Sequence, residues 1–268
     1  MTHEQNFKPA KKPLIPILAV ILILILALCY GFNAYLNDYY QAMDTATSAT
    51  ESDDFVTVSN PDGDTYFFVP NEIKAGLIFY PGGKVEYKAY APLMHQLAQN
   101  GILCILPHLT GNLAVLDMNA ADGYTKQFPE VSHWYVGGHS LGGVAASQYA
   151  AKHSDDFDGV ILLAAYSTKD LSQSNLQVIS IYGSNDGVLN LQKYQDARSN
   201  LPADFAEYVI EGGVHAYFGS YGEQDGDGTA TISRDEQQKE TVDFITYSMG
   251  LTNATDTSLQ NPQASGAY

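Results

Sequence analysis

Cysteine is almost missing from this chain: Cys29 and Cys104 are the only two in 268 residues. Cys29 sits in an apolar run and Cys104 in a strand-like segment, so no disulfide framework is implied. An oxidising compartment stays open, because it permits disulfides without requiring them. Positive charge is scarce too, with 13 Lys and Arg against 30 Asp and Glu and a net charge of −17. That excess disfavours nucleic acid, or an anionic membrane surface, as a partner of the main domain. Metal signatures are lacking. No His-Glu-x-x-His or paired-Cys motif occurs, and Asp225-Gly226-Asp227-Gly228-Thr229 starts like a calcium loop but has Ala230 where Gly is required. Neither a metal nor a cofactor is expected. Wholesale disorder is disfavoured by 45% hydrophobic and 16% charged residues, an ordinary globular balance.

One long apolar run stands near the start. Leu14 to Phe32 (LIPILAVILILILALCYGF) carries no charge, and a helix of that length spans roughly 28 Å, close to the hydrocarbon thickness of a bilayer. Pro16 falls in its first turn, where a missing N–H costs least. Lys8, Lys11 and Lys12 precede it, with Glu4 the lone acid. The positive-inside rule then keeps residues 1–13 in the cytoplasm and sends the remainder across. A cleaved signal peptide would want a shorter core and a small-x-small site, which Ala27-Leu28-Cys29 matches poorly. A lipoprotein site at Cys29 would want a small residue where Leu28 stands. The reading adopted is a single-pass anchor in the cell membrane at 14–32 and a polar linker at 33–54. The main domain follows at 55–250 on the extracytoplasmic side, with a flexible tail at 251–268.

Strand and helix signals alternate through the main domain. Phe55–Ser59 and Thr65–Val69 flank Asn60-Pro61-Asp62-Gly63-Asp64 as a hairpin. Apolar strands are predicted at Gly76–Tyr80, Ile102–Leu106, Trp134–Gly137, Val160–Ala164, Val178–Tyr182 and Glu207–Ile210. Helices are predicted at Tyr90–Gln99, Leu113–Lys126, Gly142–His153, Leu191–Ser199 and Asp235–Met249, the last with a capping box at Ser233 and Glu236. The pattern describes an α/β fold, a mostly parallel sheet with helices on both faces, whose reactive groups lie beyond the carboxyl ends of the strands.

Gly138-His139-Ser140-Leu141-Gly142 matches Gly-x-Ser-x-Gly between a strand and an Ala-rich helix, the context of a nucleophile elbow. A serine hydroxyl needs a base, and the base needs a third group to orient it. In this arrangement the chain order is Ser, acid, His. His153 lies in the helix after the elbow, which leaves His215, in the loop after the last strand, as the expected base. Asp186, after the strand Val178–Tyr182, is the expected acid, ahead of Asp158 and Asp170. An oxyanion needs two backbone N–H donors. Leu141 supplies one, and Pro81-Gly82-Gly83-Lys84 the other, with Gly83 preferred over Lys84.

With these residues in place, the chain resembles the α/β-hydrolase superfamily, and more closely the bacterial α/β-hydrolase family 5 domain related to dienelactone hydrolases. Matching stretches run from about Gly76 to Met249: Phe79–Gly83, Tyr90–Leu93, Asn112–Asp122, Gly137–Gly143, Ile181–Leu189, Glu211–His215 and Tyr221–Arg234. The resemblance implies the α/β-hydrolase fold and places nucleophile, acid and base on Ser140, Asp186 and His215. Dienelactone hydrolases proper use Cys, so the serine here departs from that substrate. On resemblance and loop position, Asn112 and the loop 217–231 line the pocket. Only 12 residues, Tyr166–Gln177, separate two central strands, too few for a helical cap, so a shallow open pocket is expected. The implied activity is hydrolysis of a small-molecule ester. Acyl transfer to envelope glycan or lipid, and a non-catalytic binding module, stand as alternatives.

Overall fold

Strands buried on both faces must be apolar along their whole length, and the central strands of this chain are. The structure, a computed structural model, describes residues 14–251. The expected cytoplasmic segment 1–13 and the tail beyond 251 lie outside the described residues. Two units are present, one ending at Asp38 and one beginning at Tyr39.

Within the first unit, α1 (Leu14–Asn37) is the one helix among the described residues long and apolar enough to cross a membrane. It runs past the Phe32 boundary expected from composition, because Asn33 to Asn37 add one polar turn without a breaker. Its length is about 36 Å at the helical rise. A helix of this kind serves as a membrane anchor or as a signal sequence.

The second unit opens with α2 (Asp44–Ser48), followed by the hairpin β1 (Val56–Ser59) and β2 (Thr65–Pro70). Then come β3 (Ala75–Tyr80), α3 (Ala91–Gln99), β4 (Ile102–Pro107), α4 (Tyr124–Gln127), β5 (Trp134–His139) and α5 (Leu141–Lys152). The chain closes with β6 (Gly159–Leu163), β7 (Gln177–Gly183), α6 (Leu191–Ala197), β8 (Ala206–Ile210) and α7 (Arg234–Ser248). The eight strands order as β1-β2-β4-β3-β5-β6-β7-β8, parallel from β4 to β8 and antiparallel at β1 and β2. This is the α/β-hydrolase fold with its mostly parallel sheet.

Alternate strand residues enter two apolar layers, as the two-residue period demands. Leu77, Phe79, Cys104, Ile161 and Ile179 face a layer closed by α3 and α7. Ile78, Tyr80, Leu103, Val136 and Leu162 face one closed by α5. Each fully buried Leu or Ile contributes about 1.5–3 kcal/mol relative to exposure. Because β4 lies on one side of β3 and β5 on the other, the order in which strands are added to the sheet reverses at β3. The carboxyl ends of these two strands flank the crevice in which such sheets hold ligands.

Three expectations are corrected. No helix spans Leu113–Lys126; two short 3-10 turns at Thr110–Asn112 and Ala114–Leu116 precede α4. Gly111, Asn112 and Gly123 take positive φ, Asp117 accepts the Thr110 N–H, and the Tyr80 hydroxyl ties down Met118 and Ala121. These contacts hold the segment out of a continuous helix. The 33–54 linker is not free chain: α1 takes its first residues, and from Tyr39 the chain belongs to the second unit. Tyr40, Ala42 and Ala49 pack on the core, Ala46 is fully buried, and His95 bonds Ala49 and Asp53. Leu251, read as the start of the tail, also packs on the core and donates to Thr246.

This packing predicts that Ala46→Asp, which buries a carboxylate without a partner, lowers the unfolding temperature by several degrees. Thr45→Asp, on the exposed side of the same turn, leaves it within about 1 °C. Differential scanning fluorimetry of both variants checks this; equal melting temperatures would mean that the segment is a linker after all.

Candidate active site

Ser140 sits between the end of β5 and the first residue of α5 with φ 53° and ψ −123°, a backbone region that L residues rarely occupy. Two contacts hold it there. Its N–H donates to the Leu163 carbonyl at 2.9 Å, and the glycines around it let backbone touch backbone. A methyl on Gly142 would lie 2.1 Å from the Tyr80 carbonyl oxygen, and one on Gly138 would lie 2.5 Å from Gly142 C. The strand-to-helix turn is therefore wedged against the end of β3. Ser140 is half-buried.

Asp186 follows β7 and His215 follows β8, as chain order suggested. The His215 Nδ1–H meets Asp186 Oδ2 at 2.8 Å, with both side chains out of solvent. Asp186 Oδ1 accepts the Val188 and Leu189 N–H groups at 2.8 and 2.7 Å, so the carboxylate cannot swing. His215 Nε2 is buried and has no hydrogen-bond partner among the described residues. Asp158 and Asp170 go elsewhere: Asp158 accepts the Trp134 N–H at the opposite end of β5, and Asp170 accepts from Ser172.

The turn after β3 meets the start of α5. A methyl on Gly83 would lie 3.0 Å from Leu141 Cδ2. Leu141 is the first residue of α5, so its N–H has no acceptor inside the helix. In the facing turn, the Gly82 N–H is taken by Tyr90 Oη at 3.0 Å and the Lys84 N–H by the Asn112 carbonyl at 2.7 Å. That commits the Lys84 N–H and leaves the Gly83 N–H without a backbone acceptor among the described residues. Asn112 is buried at φ 55°, and its backbone braces the turn.

A family model described as the alpha/beta hydrolase family matches residues 76–239. This chain belongs to the alpha/beta hydrolase family. Est1E from Butyrivibrio proteoclasticus shares the fold at TM-score 0.52 and 12% identity, over 73% of this chain and 99% of its own. A structure titled "predicted CIB-like hydrolase" from Thermoplasma acidophilum aligns at TM-score 0.49 and 16% identity, over 71% and 96% of the two chains. No curated protein matches the sequence. The fold supports a hydrolytic enzyme acting on a small molecule.

Three residues of this hydrolase that sequence reasoning passed over hold its loops in place. Asp227, which the sequence places in a calcium-like Asp-Gly stretch of the loop 217–231, accepts four backbone N–H groups. Oδ1 takes those of Gly187, His215 and Gly228 at 3.1, 3.1 and 2.8 Å, and Oδ2 takes that of Ala216 at 2.8 Å. One carboxylate thereby ties the turn bearing Asp186 to the turn bearing His215. Gln237 of α7 clamps Val214 from both sides, accepting its N–H at 2.9 Å and donating to its carbonyl at 2.7 Å. His139, beside Ser140, shares a hydrogen bond between its Nδ1 and Tyr90 Oη at 2.7 Å. Its ring centroid is 4.5 Å from that of His215. Burial, and secondarily repulsion from His215, hold its basicity well below the usual imidazole range. Burial also pushes the Tyr90 phenol up, so it stays a donor.

Two outcomes follow. Asp227→Asn places an amide N–H against a backbone N–H, and kcat for an ester is expected to fall about 10- to 100-fold, with KM within threefold, because small misplacements of a base are costly. Steady-state kinetics read the split; a rise in KM alone would show that Asp227 only shapes binding. For His139, the folded-state pKa lies below the unfolded 6.5. Stability is then retained above pH 6.5 and lost as pH falls below it, by up to about 1.4 kcal/mol per unit. Urea titrations between pH 7 and 5 should show a shallower slope in His139→Asn; an unchanged slope would mean that His139 titrates normally.

Proposed function

We propose that this chain is a membrane-anchored serine hydrolase that cleaves carboxylic esters through an acyl-enzyme, with Ser140 as nucleophile, His215 as base and Asp186 as its orienting acid. The observation that carries the reading is the buried Asp186–His215 pair at 2.8 Å. Its free Nε2 belongs to the same cluster of strand ends as the strained Ser140. With Nδ1–H donated to Asp186, Nε2 keeps its lone pair and can take the Ser140 proton as Oγ attacks the ester carbonyl. Charge developing on the carbonyl oxygen falls to the Leu141 and Gly83 N–H groups. Collapse of the adduct expels the alcohol, which takes the proton from His215. Water, deprotonated by the same nitrogen, then releases the acid and restores Ser140.

Residues 164–176, between β6 and β7, hold no helix, which supports an uncapped site taking small or exposed acyl groups. Asn112 and the loop 217–231 are the residues proposed to line it. We read α1 as an uncleaved anchor and the catalytic unit as extracytoplasmic, from the lysines that precede the helix.

One experiment addresses mechanism and topology together. A membrane-impermeant fluorophosphonate added to intact cells is expected to label the wild-type chain and not Ser140→Ala. Ester turnover by purified Ser140→Ala should drop at least about 10⁴-fold. Labelling that survives in Ser140→Ala would sink the nucleophile. Labelling of lysed but not intact cells would invert the topology.

A further inference from the structure

The segment that composition reads as a linker is bonded to both turns that the proposed chemistry depends on. Its first contact is at Lys84, the residue after Gly83. The Tyr40 N–H donates to the Lys84 carbonyl at 2.8 Å, and the Glu86 N–H donates to the Tyr40 carbonyl at 2.9 Å, a one-residue parallel bridge centred on Val85. The Ala42 N–H then donates to Glu86 Oε2 at 2.9 Å. Its second contact is with the chain that leaves His215. The Met43 N–H donates to the Ser220 carbonyl at 2.8 Å, and Tyr40 Oη accepts the Asp225 N–H at 3.2 Å. The Tyr40 ring rests 5.6 Å from that of Tyr221.

Lys84 is a non-glycine residue at φ 58°, a conformation that persists only where the surroundings over-determine it. The Asn112 carbonyl holds its N–H and Tyr40 holds its carbonyl. The Gly83 N–H shares its peptide with the Gly82 carbonyl, which accepts the Val85 N–H at 3.2 Å. That N–H in turn shares a peptide with the Lys84 carbonyl held by Tyr40, so releasing Tyr40 frees one of the fixed points that set the direction of the Gly83 N–H. We propose that residues 40–43 form a strap of the active site, in which Tyr40 and Glu86 are positioning residues for the Gly83 N–H, so that catalysis depends on the juxtamembrane segment as well as on the sheet. The inference rests on Ser140 being the nucleophile and Gly83 an oxyanion donor, and adds that neither turn is set by the sheet alone.

The test uses the full-length chain in detergent, with kcat and KM for p-nitrophenyl acetate, the rate constant of fluorophosphonate labelling, and the melting temperature measured together. Glu86→Ala removes the acceptor for Ala42. It is expected to lower kcat and the labelling rate constant about tenfold, less than the 10²–10³ for outright loss of an oxyanion donor. KM should stay within twofold. Glu86→Gln, which keeps an acceptor oxygen, should recover kcat to within about twofold. Met43→Pro is the second variant: φ at Met43 is −71°, which proline accepts. It deletes the N–H to Ser220, and a drop in kcat of about fivefold is expected even if Glu86→Ala does not fold. Unchanged kcat in Glu86→Ala or Met43→Pro, or no recovery in Glu86→Gln, would overturn the strap while a labelled wild type keeps the hydrolase. A wild-type chain that takes up no phosphonate overturns the hydrolase reading and the strap with it.

Discussion

The closest backbone approach around Ser140, between Gly142 and the Tyr80 carbonyl at the end of β3, leaves no room for a single carbon atom. It brings the start of α5 against the turn after β3, where the Leu141 side chain meets Gly83. Gly138 repeats the constraint one turn earlier, and Gly143 meets Ala165 beyond β6 in the same way. Strain at Ser140 is the other face of this packing. A residue held at φ 53° would relax if α5 could move off the sheet, and buried Ala145, Ala146 and Ala150 keep it there. Sheet packing on one side therefore fixes a hydroxyl and a donor on the other.

The imidazole of His215 is held by different means. His215 lies in a turn, and its position is set by carboxylate and amide acceptors: Asp186 on the ring, Asp227 on its backbone, Gln237 on the residue before it. Bonds of this kind fix a loop without a regular ladder, and each acceptor oxygen that serves two turns couples them. Asp227 couples the Asp186 turn to the His215 turn, and Tyr40 couples the turn after β3 to the chain beyond His215. These turns are thus connected through backbone N–H acceptors as well as through the Asp186–His215 bond.

What sequence makes legible follows the same division. Strands such as Gly76–Tyr80 and Ile102–Leu106 announce themselves as continuous apolar runs, and the strand-to-helix turn by glycines at fixed offsets. Asp186 and His215 could be picked because each follows a strand in the expected order. The helix read at Leu113–Lys126 fails because its Leu, Val and Ala spacing imitates a buried face, while Gly111 and Asn112 turn the backbone left-handed. Asp227 was open to misreading because Asp-Gly repeats suit a cation and a cluster of N–H donors equally well. Tyr40 to Met43 gave almost no signal: most of their bonds run from main chain to main chain, and such bonds leave no mark on residue type.

The scarcity of positive charge gains a physical sense from these contacts. Many carboxylates here accept backbone N–H groups: Asp53 from Phe55 and Val56, Asp62 from Asp64 and Thr65, Glu236 from Ser233 at the cap of α7. Charged acceptors make stronger bonds than neutral ones. They also tie the fold to the ionised form. Hydrogen bonds from His95 and from Phe55 hold the Asp53 carboxyl well below its usual range, and backbone donors lower Asp62 and Glu236. A carboxylate lowered in the fold contributes stability that is present above its unfolded pKa and is lost as pH falls through the folded one. For these groups the loss begins near pH 4. The buried His139 is a different case, for its contribution erodes from pH 6.5 downward. The contribution of His139 therefore erodes at milder acid than the contributions of Asp53, Asp62 and Glu236.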